Sequence, residues 1–153
     1  LDRFADDEPD KKKEGRDQRV MSIHKYREAV LRDLAWLLNT GNMSSVEDVS
    51  EYPEVEKSVI NFGMPDLCGL TASGVDPEDV QARMANAIKR FEPRIIPSTV
   101  VVRAVSDPDH PEGNMVAFEI DGELWAKPMH EALFIKTELD LETGDFKIKE
   151  RGR

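Results

Sequence analysis

At Lys89-Arg90-Phe91-Glu92-Pro93-Arg94 the chain changes from a helical pattern to a strand pattern. Pro93 disfavours helical geometry at Glu92 and lacks the amide that a helix interior needs, so the chain must turn here. A carboxylate and a guanidinium flank the proline, and arginine offers a planar, charged fork that suits carboxylates and backbone carbonyls. The segment is therefore either a salt-bridged helix end or a fixed docking point for another protein.

The helical pattern upstream is strongest over residues 22–39. Ser22 is a plausible N-cap, and Gly41 follows the end of the pattern. Trp36 lies on the opposite face of this helix from the apolar residues, where it either packs under another element or contacts a partner. The apolar residues fall on one face at about 100° per residue, and they are Ile23, Tyr26, Val30, Leu31, Leu34, Leu37 and Leu38.

Two further helices are predicted before the turn. Tyr52-Pro53 opens a short helix over residues 54–61, and the glycine- and proline-containing segment 62–70 follows as a buried connector. Asp76 caps the second helix, with proline at its first position and acidic residues in its first turn. Its predicted apolar face consists of Val80, Met84, Ala87, Ile88 and Phe91.

Strand patterns follow the turn. Asp121-Gly122 is a two-residue hairpin signal between two of the strands, and residues 142–145 form a second hairpin turn. Helices followed by an antiparallel meander predict an α+β fold, with N-terminal helices packed on an antiparallel β-meander sheet. The strands are predicted at residues 100–105, 115–120, 123–126, 133–139 and 146–149.

The N-terminal segment has a different composition. Residues 5–19 are almost entirely charged and bury too little apolar surface to offset their ordering entropy, so a flexible tether is expected. Leu1 and Phe4 precede it, as either a frayed terminus or an anchor that folds onto a partner. The prediction is thus a flexible anchor and tether at 1–19 and a single α+β domain at 20–153.

The composition disfavours several classes of partner. The chain has 31 acidic and 21 basic residues and a net charge of -10, which disfavours nucleic acid and anionic membrane surfaces. Its apolar runs are too short to span a bilayer, so no direct membrane insertion is expected. Cys68 is the one cysteine, so no intrachain disulfide is possible, as in many proteins of reducing compartments.

The sequence carries no recognisable catalytic or metal-binding motif. Its three histidines (His24, His110 and His130) lack the spacing of zinc ligands, and Cys68 is better interpreted as a small buried hydrophobe than as a nucleophile. The acidic, proline-containing segment 107–113 is typical of turns rather than of a cation site. We therefore expect no cofactor, no metal and no enzymatic activity.

Several segments, in this order, resemble the E subunit (TssE) of bacterial type VI secretion baseplates, in the family of lysozyme-like wedge proteins of contractile phage tails. The most specific are Asn61-Phe62-Gly63-Met64-Pro65-Asp66 and Glu92-Pro93-Arg94. The others are Leu1-Asp2-Arg3-Phe4, residues 30–40 and residues 52–55.

The resemblance implies a structural role in a baseplate wedge together with the F and G subunits (TssF and TssG). Six wedges surround the spike, so six copies per baseplate are expected. Glu92, Pro93 and Arg94 would engage the wedge core, and the sheet would pair with strands of the sheath subunits TssB and TssC. TssK is a further expected partner, and the location implied is the cytoplasmic baseplate docked at the inner membrane. The alternative is a peptidoglycan-cleaving, lysozyme-like hydrolase with Glu92 as general acid.

Strand pairing needs a sheet edge with free backbone groups. The C-terminal strand, Phe146-Lys147-Ile148-Lys149, is the candidate edge, although it is equally well an ordinary terminal strand. The predicted partner-binding residues are Glu92, Pro93, Arg94, Leu1, Phe4, Trp36, Phe146 and Ile148.

Overall fold

Three α-helices precede four β-strands in the computed structural model, which describes residues 22–67, 76–105, 115–126 and 130–150. The helices are α1 (Ile23–Leu38), α2 (Pro53–Glu56) and α3 (Pro77–Phe91), and the strands are β1 (Val101–Val105), β2 (Met115–Leu124), β3 (Glu131–Asp140) and β4 (Phe146–Glu150). Short 3-10 turns are present at Met43–Ser45, Val59–Asn61 and Pro97–Thr99.

Both long helices begin at the predicted caps. The Ser22 side chain accepts a hydrogen bond from the backbone of Lys25, and Asp76 accepts one from the backbone of Glu78. The predicted core face of α1 is largely confirmed, because Val30, Leu34, Leu37 and Leu38 are buried. Ile23 is the exception. It lies in the first turn, outside the buried cluster, and is 46% exposed.

The sheet is an antiparallel meander in the order β1-β2-β3-β4, so the predicted α+β fold is confirmed. α1 contacts β4 and α3 contacts β1. The side chains between the helices and the sheet form one core, because alternate strand residues face the helices. Its fully buried members include Leu34, Met84, Ile88, Phe118, Ile120 and Ile135.

The predicted turn at Asp121-Gly122 is wrong. β2 runs through this dipeptide without a break, and Gly122 pairs with Leu133 of β3. The glycine has a different function, because a Cβ atom at Gly122 would lie 2.9 Å from Cγ2 of Ile95. Ile95 crosses here in an isolated bridge to Leu124. Gly122 thus lets the segment around Ile95 approach β2 closely, which is another common reason for glycine in a strand.

The helix predicted over residues 54–61 is also wrong in its length. α2 ends at Glu56, and Val59–Asn61 forms a separate 3-10 turn. The break is at Ser58, whose side chain accepts a hydrogen bond from the backbone of Ile60 and thereby caps the second turn instead of continuing the first. The following connector is buried at Gly63, Met64 and Leu67, and only half-buried or exposed between them.

The second predicted hairpin is confirmed. The backbone amide of Gly144 donates to the carbonyl of Asp140 at 2.7 Å, and that of Asp140 donates to Asp145 at 2.9 Å. Gly144 has a φ of 78°, a conformation that favours glycine.

Some predictions fall outside the described residues. They are the anchor and tether at 1–19, the burial of Cys68 and the loop at 107–113. Within the described part of the chain, no helix combines the length and apolarity that crossing a bilayer requires.

Candidate interaction site at the Glu92–Arg94 turn

The turn after α3 is closed by its own backbone and by a local ion pair. The amide of Ile95 donates to the carbonyl of Glu92 at 3.1 Å. Glu92 is only 3% exposed, and its carboxylate accepts hydrogen bonds from the backbone amide of Arg94 at 3.1 Å and from its Nε at 2.7 Å. Nη2 of Arg94 donates to the other carboxylate oxygen. Glu92 therefore fixes the position of the guanidinium, while Pro93 between them is exposed.

A chain of charged contacts connects this turn to α1. Nη2 of Arg94 also donates to Oδ2 of Asp33 at 2.6 Å. Oδ1 of Asp33 accepts from Nε and Nη2 of Arg32 at 3.0 and 2.8 Å. The guanidinium of Arg32 in turn lies 5.2 Å from the ring centre of Trp36, a cation–π distance. The predicted turn and the predicted tryptophan are thus parts of one contiguous cluster.

The other side of the turn is attached to the sheet. The backbone amide of Trp125 donates to the carbonyl of Arg94 at 2.8 Å, and the amide of Ile96 donates to Glu123 at 2.8 Å. The hydroxyl of Tyr26 on α1 donates to the carbonyl of Trp125 at 3.0 Å. Three hydrogen bonds therefore hold α1, the turn and the end of β2 together, and one of them is made by the backbone carbonyl of Arg94.

The contacts of the cluster shift the pKa values of Arg94, Asp33 and Tyr26. Hydrogen bonding to Glu92 outweighs partial burial and raises the pKa of Arg94 above its ordinary value. At Asp33, partial burial acts to raise the pKa, but hydrogen bonds from Arg32 and Arg94 outweigh it and lower the pKa. Burial also raises the pKa of the nearby Tyr26 hydroxyl.

Arg94 retains free hydrogen-bonding capacity. Its side chain is 26% exposed, and within the described residues no acceptor bonds its Nη1 atom. Trp36 and Trp125, both attached to the cluster, are 60% and 56% exposed. Arginine and tryptophan are enriched among the residues that dominate binding energy at protein interfaces. The arrangement is therefore suited to binding a partner through a carboxylate or carbonyl at its centre and apolar contacts beside it.

The arrangement around Glu92 differs from that of a glycosidase acid. Such an enzyme places two carboxylates across an open cleft, whereas both oxygens of Glu92 are buried and bonded to Arg94. Among the described residues, no three side chains of metal-binding type are grouped together.

The remaining predicted partner-binding residues lie elsewhere. Phe146 is buried at the start of β4, where Asn39 at the end of α1 bonds both its amide (2.7 Å) and its carbonyl (2.9 Å). Ile148 is partly buried against the core. Leu1 and Phe4 are outside the described residues.

Sequence reasoning missed Asp33 and Trp125 as members of the cluster. The sequence around Asp33 carries no local signal of this contact, because its partner Arg94 lies 61 positions away. The one signal that could have identified Trp125 is its position as a large aromatic residue directly after the buried end of a strand.

Comparison with known proteins identifies one family. No curated protein and no solved structure gives a significant match. The model of the family described as baseplate wedge protein gp25 matches residues 24–129, which is more than half of the chain. The match includes α1 apart from its first residue, the Glu92–Arg94 turn and β2. The chain therefore belongs to the gp25 family of baseplate wedge proteins, to which TssE also belongs, and has a structural role in a phage tail-like baseplate.

Proposed function

We propose that this chain is the TssE-type wedge subunit of a type VI secretion baseplate and that it docks to other wedge subunits through the Glu92–Arg94 turn. The observation that supports this proposal most strongly is the hydrogen bonding of the Arg94 guanidinium. Glu92 and Asp33 hold two of its guanidinium nitrogens, while Nη1 has no acceptor among the described residues. A guanidinium fixed in this way loses little side-chain entropy on binding, which favours affinity.

The proposal assigns different functions to the members of the motif. Glu92 is a buried positioning residue, Pro93 maintains the turn and lies at the surface, and Arg94 contacts the partner. Trp36 supplies adjacent apolar area, and Trp125 extends the surface on the other side. The proposed partners are TssF and TssG within the wedge, with TssK as a further contact and six copies in each baseplate. The proposed location is the cytoplasmic baseplate docked at the inner membrane.

We further propose that the sheet seeds sheath assembly by pairing with strands of TssB and TssC at the outer edge of β4. Asn39 bonds both backbone groups of Phe146, so these groups point away from β3. Backbone direction alternates along a strand, which puts the amide and carbonyl of Ile148 on the same outer edge. Within the described residues, no side chain caps Ile148. Pairing would therefore begin at Ile148 and not at Phe146.

The opposite edge of the sheet is partly occupied in a similar way. The side chain of Gln81 on α3 accepts a hydrogen bond from the amide of Ala104 at 3.0 Å, on the outer edge of β1. A helix contacts each edge strand, α1 at β4 and α3 at β1.

The proposed role is non-enzymatic. The burial of Glu92 and its ion pair with Arg94 support this over the alternative, a peptidoglycan-cleaving hydrolase. A muramidase assay on purified peptidoglycan distinguishes the two: the proposal predicts no turnover, whereas turnover that disappears in Glu92→Gln would establish the hydrolase.

Affinity purification of the tagged full chain from its native host tests the proposed assembly. We expect wedge and sheath proteins to co-purify, with wedge proteins lost in Arg94→Lys and retained in Arg103→Lys. Arg103 is a suitable control, because it is a more exposed arginine in a simple surface pair with Asp121. Recovery of neither wedge nor sheath proteins with the unmodified chain would contradict the proposal.

A further inference from the structure

Residues 43–62, here called the exposed arm, form an excursion of the chain whose two ends are held together. The amide of Asn42 donates to the carbonyl of Met64 at 2.9 Å, and the amide of Met64 donates to Thr40 at 2.8 Å. Gly63 permits this closure with a φ of 122°, because a Cβ atom there would lie 2.1 Å from the carbonyl oxygen of Thr40. The arm thus starts and ends at one point of the fold.

The arm is internally fixed by a buried amide. Asn61 is 5% exposed, and its Oδ1 accepts from both the amide and the hydroxyl of Ser44 at 2.9 Å. Its Nδ2 donates to the carbonyl of Glu56 at 3.0 Å. One side chain therefore connects the first 3-10 turn, α2 and the second 3-10 turn.

Two contacts attach the arm to α3. Nη1 of Arg90 donates to the carbonyl of Glu56 at 3.1 Å. The rings of Phe62 and Phe91 meet edge to face with centres 5.4 Å apart. The arm is therefore a preformed surface and not a loose loop, and it ends beside the residue that precedes the Glu92–Arg94 turn.

This fixed surface is unusually apolar. Among the described residues, ten large hydrophobic side chains are exposed, and five of them lie in the arm. Val46 and Val59 are 83% and 80% exposed, and Ile60 is 61% exposed. A concentration of exposed apolar side chains in one fixed segment is typical of a binding surface. The other two are Met43 and Tyr52.

The charges of the arm restrict what binds there. It carries five acidic residues (Glu47, Asp48, Glu51, Glu54 and Glu56) and one basic residue, Lys57. Such a surface repels phosphate backbones and anionic lipids. It also disfavours a second copy of this chain, which would bring an identical acidic arm and a net charge of -10.

We propose that the exposed arm binds a segment of another protein in which apolar side chains are flanked by Lys or Arg. The apolar contacts would supply most of the affinity, while the acidic residues of the arm would select the basic partner and speed its association. The arm shares no residue with the Glu92–Arg94 turn or with β4, and the inference does not depend on the function proposed for them.

Site-specific photocrosslinking in the native host tests the proposal. A photoreactive amino acid replaces Val59 in the full chain, and the crosslinked peptide is sequenced by mass spectrometry. We expect a peptide of another protein that contains apolar residues and more Lys and Arg than Asp and Glu. The same photoreactive residue at Val101, an exposed position on β1, should not capture that peptide. A crosslink to a second copy, to an acidic peptide, or to nothing would overturn the proposal.

Charge-reversal variants test whether binding depends on the acidic residues of the arm or only on the net charge of the protein. Glu47→Lys with Glu51→Lys should lower the crosslink yield from position 59 by about tenfold, in the range of hot-spot losses. Glu28→Lys with Glu142→Lys changes the net charge equally at sites outside the arm and should change the yield less than about twofold. An equal loss in both double variants would contradict recognition by the arm, and circular dichroism confirms that each variant is folded.

Discussion

The guanidinium of Arg94 lies 2.6 Å from the carboxylate of Asp33, although 61 positions separate the two residues. This contact joins the turn after α3 to the exposed side of α1. It also places Arg94 between two carboxylates, since Glu92 binds it from within the turn. Arg94, the candidate docking residue, is thus held by the buried carboxylate of Glu92 and by the more exposed carboxylate of Asp33. A separate prediction follows for each of these two acidic residues.

Replacement of Glu92 by Gln should destabilise the fold. The variant removes the buried anion that accepts three hydrogen bonds from Arg94, so the free energy of unfolding should fall by about 1–3 kcal/mol. Urea denaturation followed by circular dichroism measures this, with Glu47→Gln in the exposed arm as a control that stays within about 0.5 kcal/mol. Equal stability of both variants would contradict an anchoring role for Glu92.

Asp33 should make stability depend on pH in the acid range. Its pKa is lowered in the folded state, so its contribution is fully present above the unfolded pKa of about 3.9 and is lost as pH falls through the lower folded value. The loss of stability between neutral pH and that acid range should be smaller in Asp33→Asn than in the unmodified chain. Urea midpoints at several pH values test this, and parallel curves for the two proteins would refute it.

Alanine substitution at the two glycines at the base of the exposed arm should have very different effects on stability. Gly63→Ala forces a Cβ atom against the carbonyl of Thr40 at a positive φ, and a loss of about 2–4 kcal/mol in unfolding free energy is expected. Gly41→Ala meets nothing within 4 Å and should change stability by less than about 1 kcal/mol. Thermal unfolding of both variants provides the comparison, and similar melting temperatures would argue against the described closure of the arm.

The Ile148→Pro variant should keep its fold but lose strand pairing with the sheath. The amide of Ile148 points away from β3, so Ile148→Pro removes a donor from the outer edge without removing a bond of the β3–β4 ladder. The variant should remain folded and should lose recovery of sheath subunits, whereas wedge subunits should still co-purify. Lys149→Pro removes an amide that faces β3 and should destabilise the domain itself. If Ile148→Pro is folded and still recovers sheath subunits, pairing at this edge is excluded.

Local sequence signals were sufficient for much of the fold. Ser22 and Asp76 cap their helices because the capping chemistry is local, and Pro93 ends α3 where expected. The order of helices and antiparallel strands then followed from the change in periodicity. These features depend on residues within a few positions of one another.

Other features depend on contacts between distant residues and could not be predicted. Gly122 has the local signature of a hairpin turn, but the approach of Ile95 decides its function. The contacts of Arg94 with Asp33 and Trp125 also join separate elements. The motif at 92–94 was therefore identified correctly as a turn, while the burial of Glu92 and the surrounding cluster required the structure.

Direct measurement of affinity for the purified TssF–TssG complex tests the central claim. Arg94→Lys is the informative variant, because it keeps a positive charge beside Glu92 but loses the planar fork. Calorimetric titration should give a Kd at least about tenfold weaker than that of the unmodified chain, and Arg103→Lys should remain within about twofold. If the folded Arg94→Lys variant bound the complex as tightly as the unmodified chain, docking through the Glu92–Arg94 turn would be contradicted.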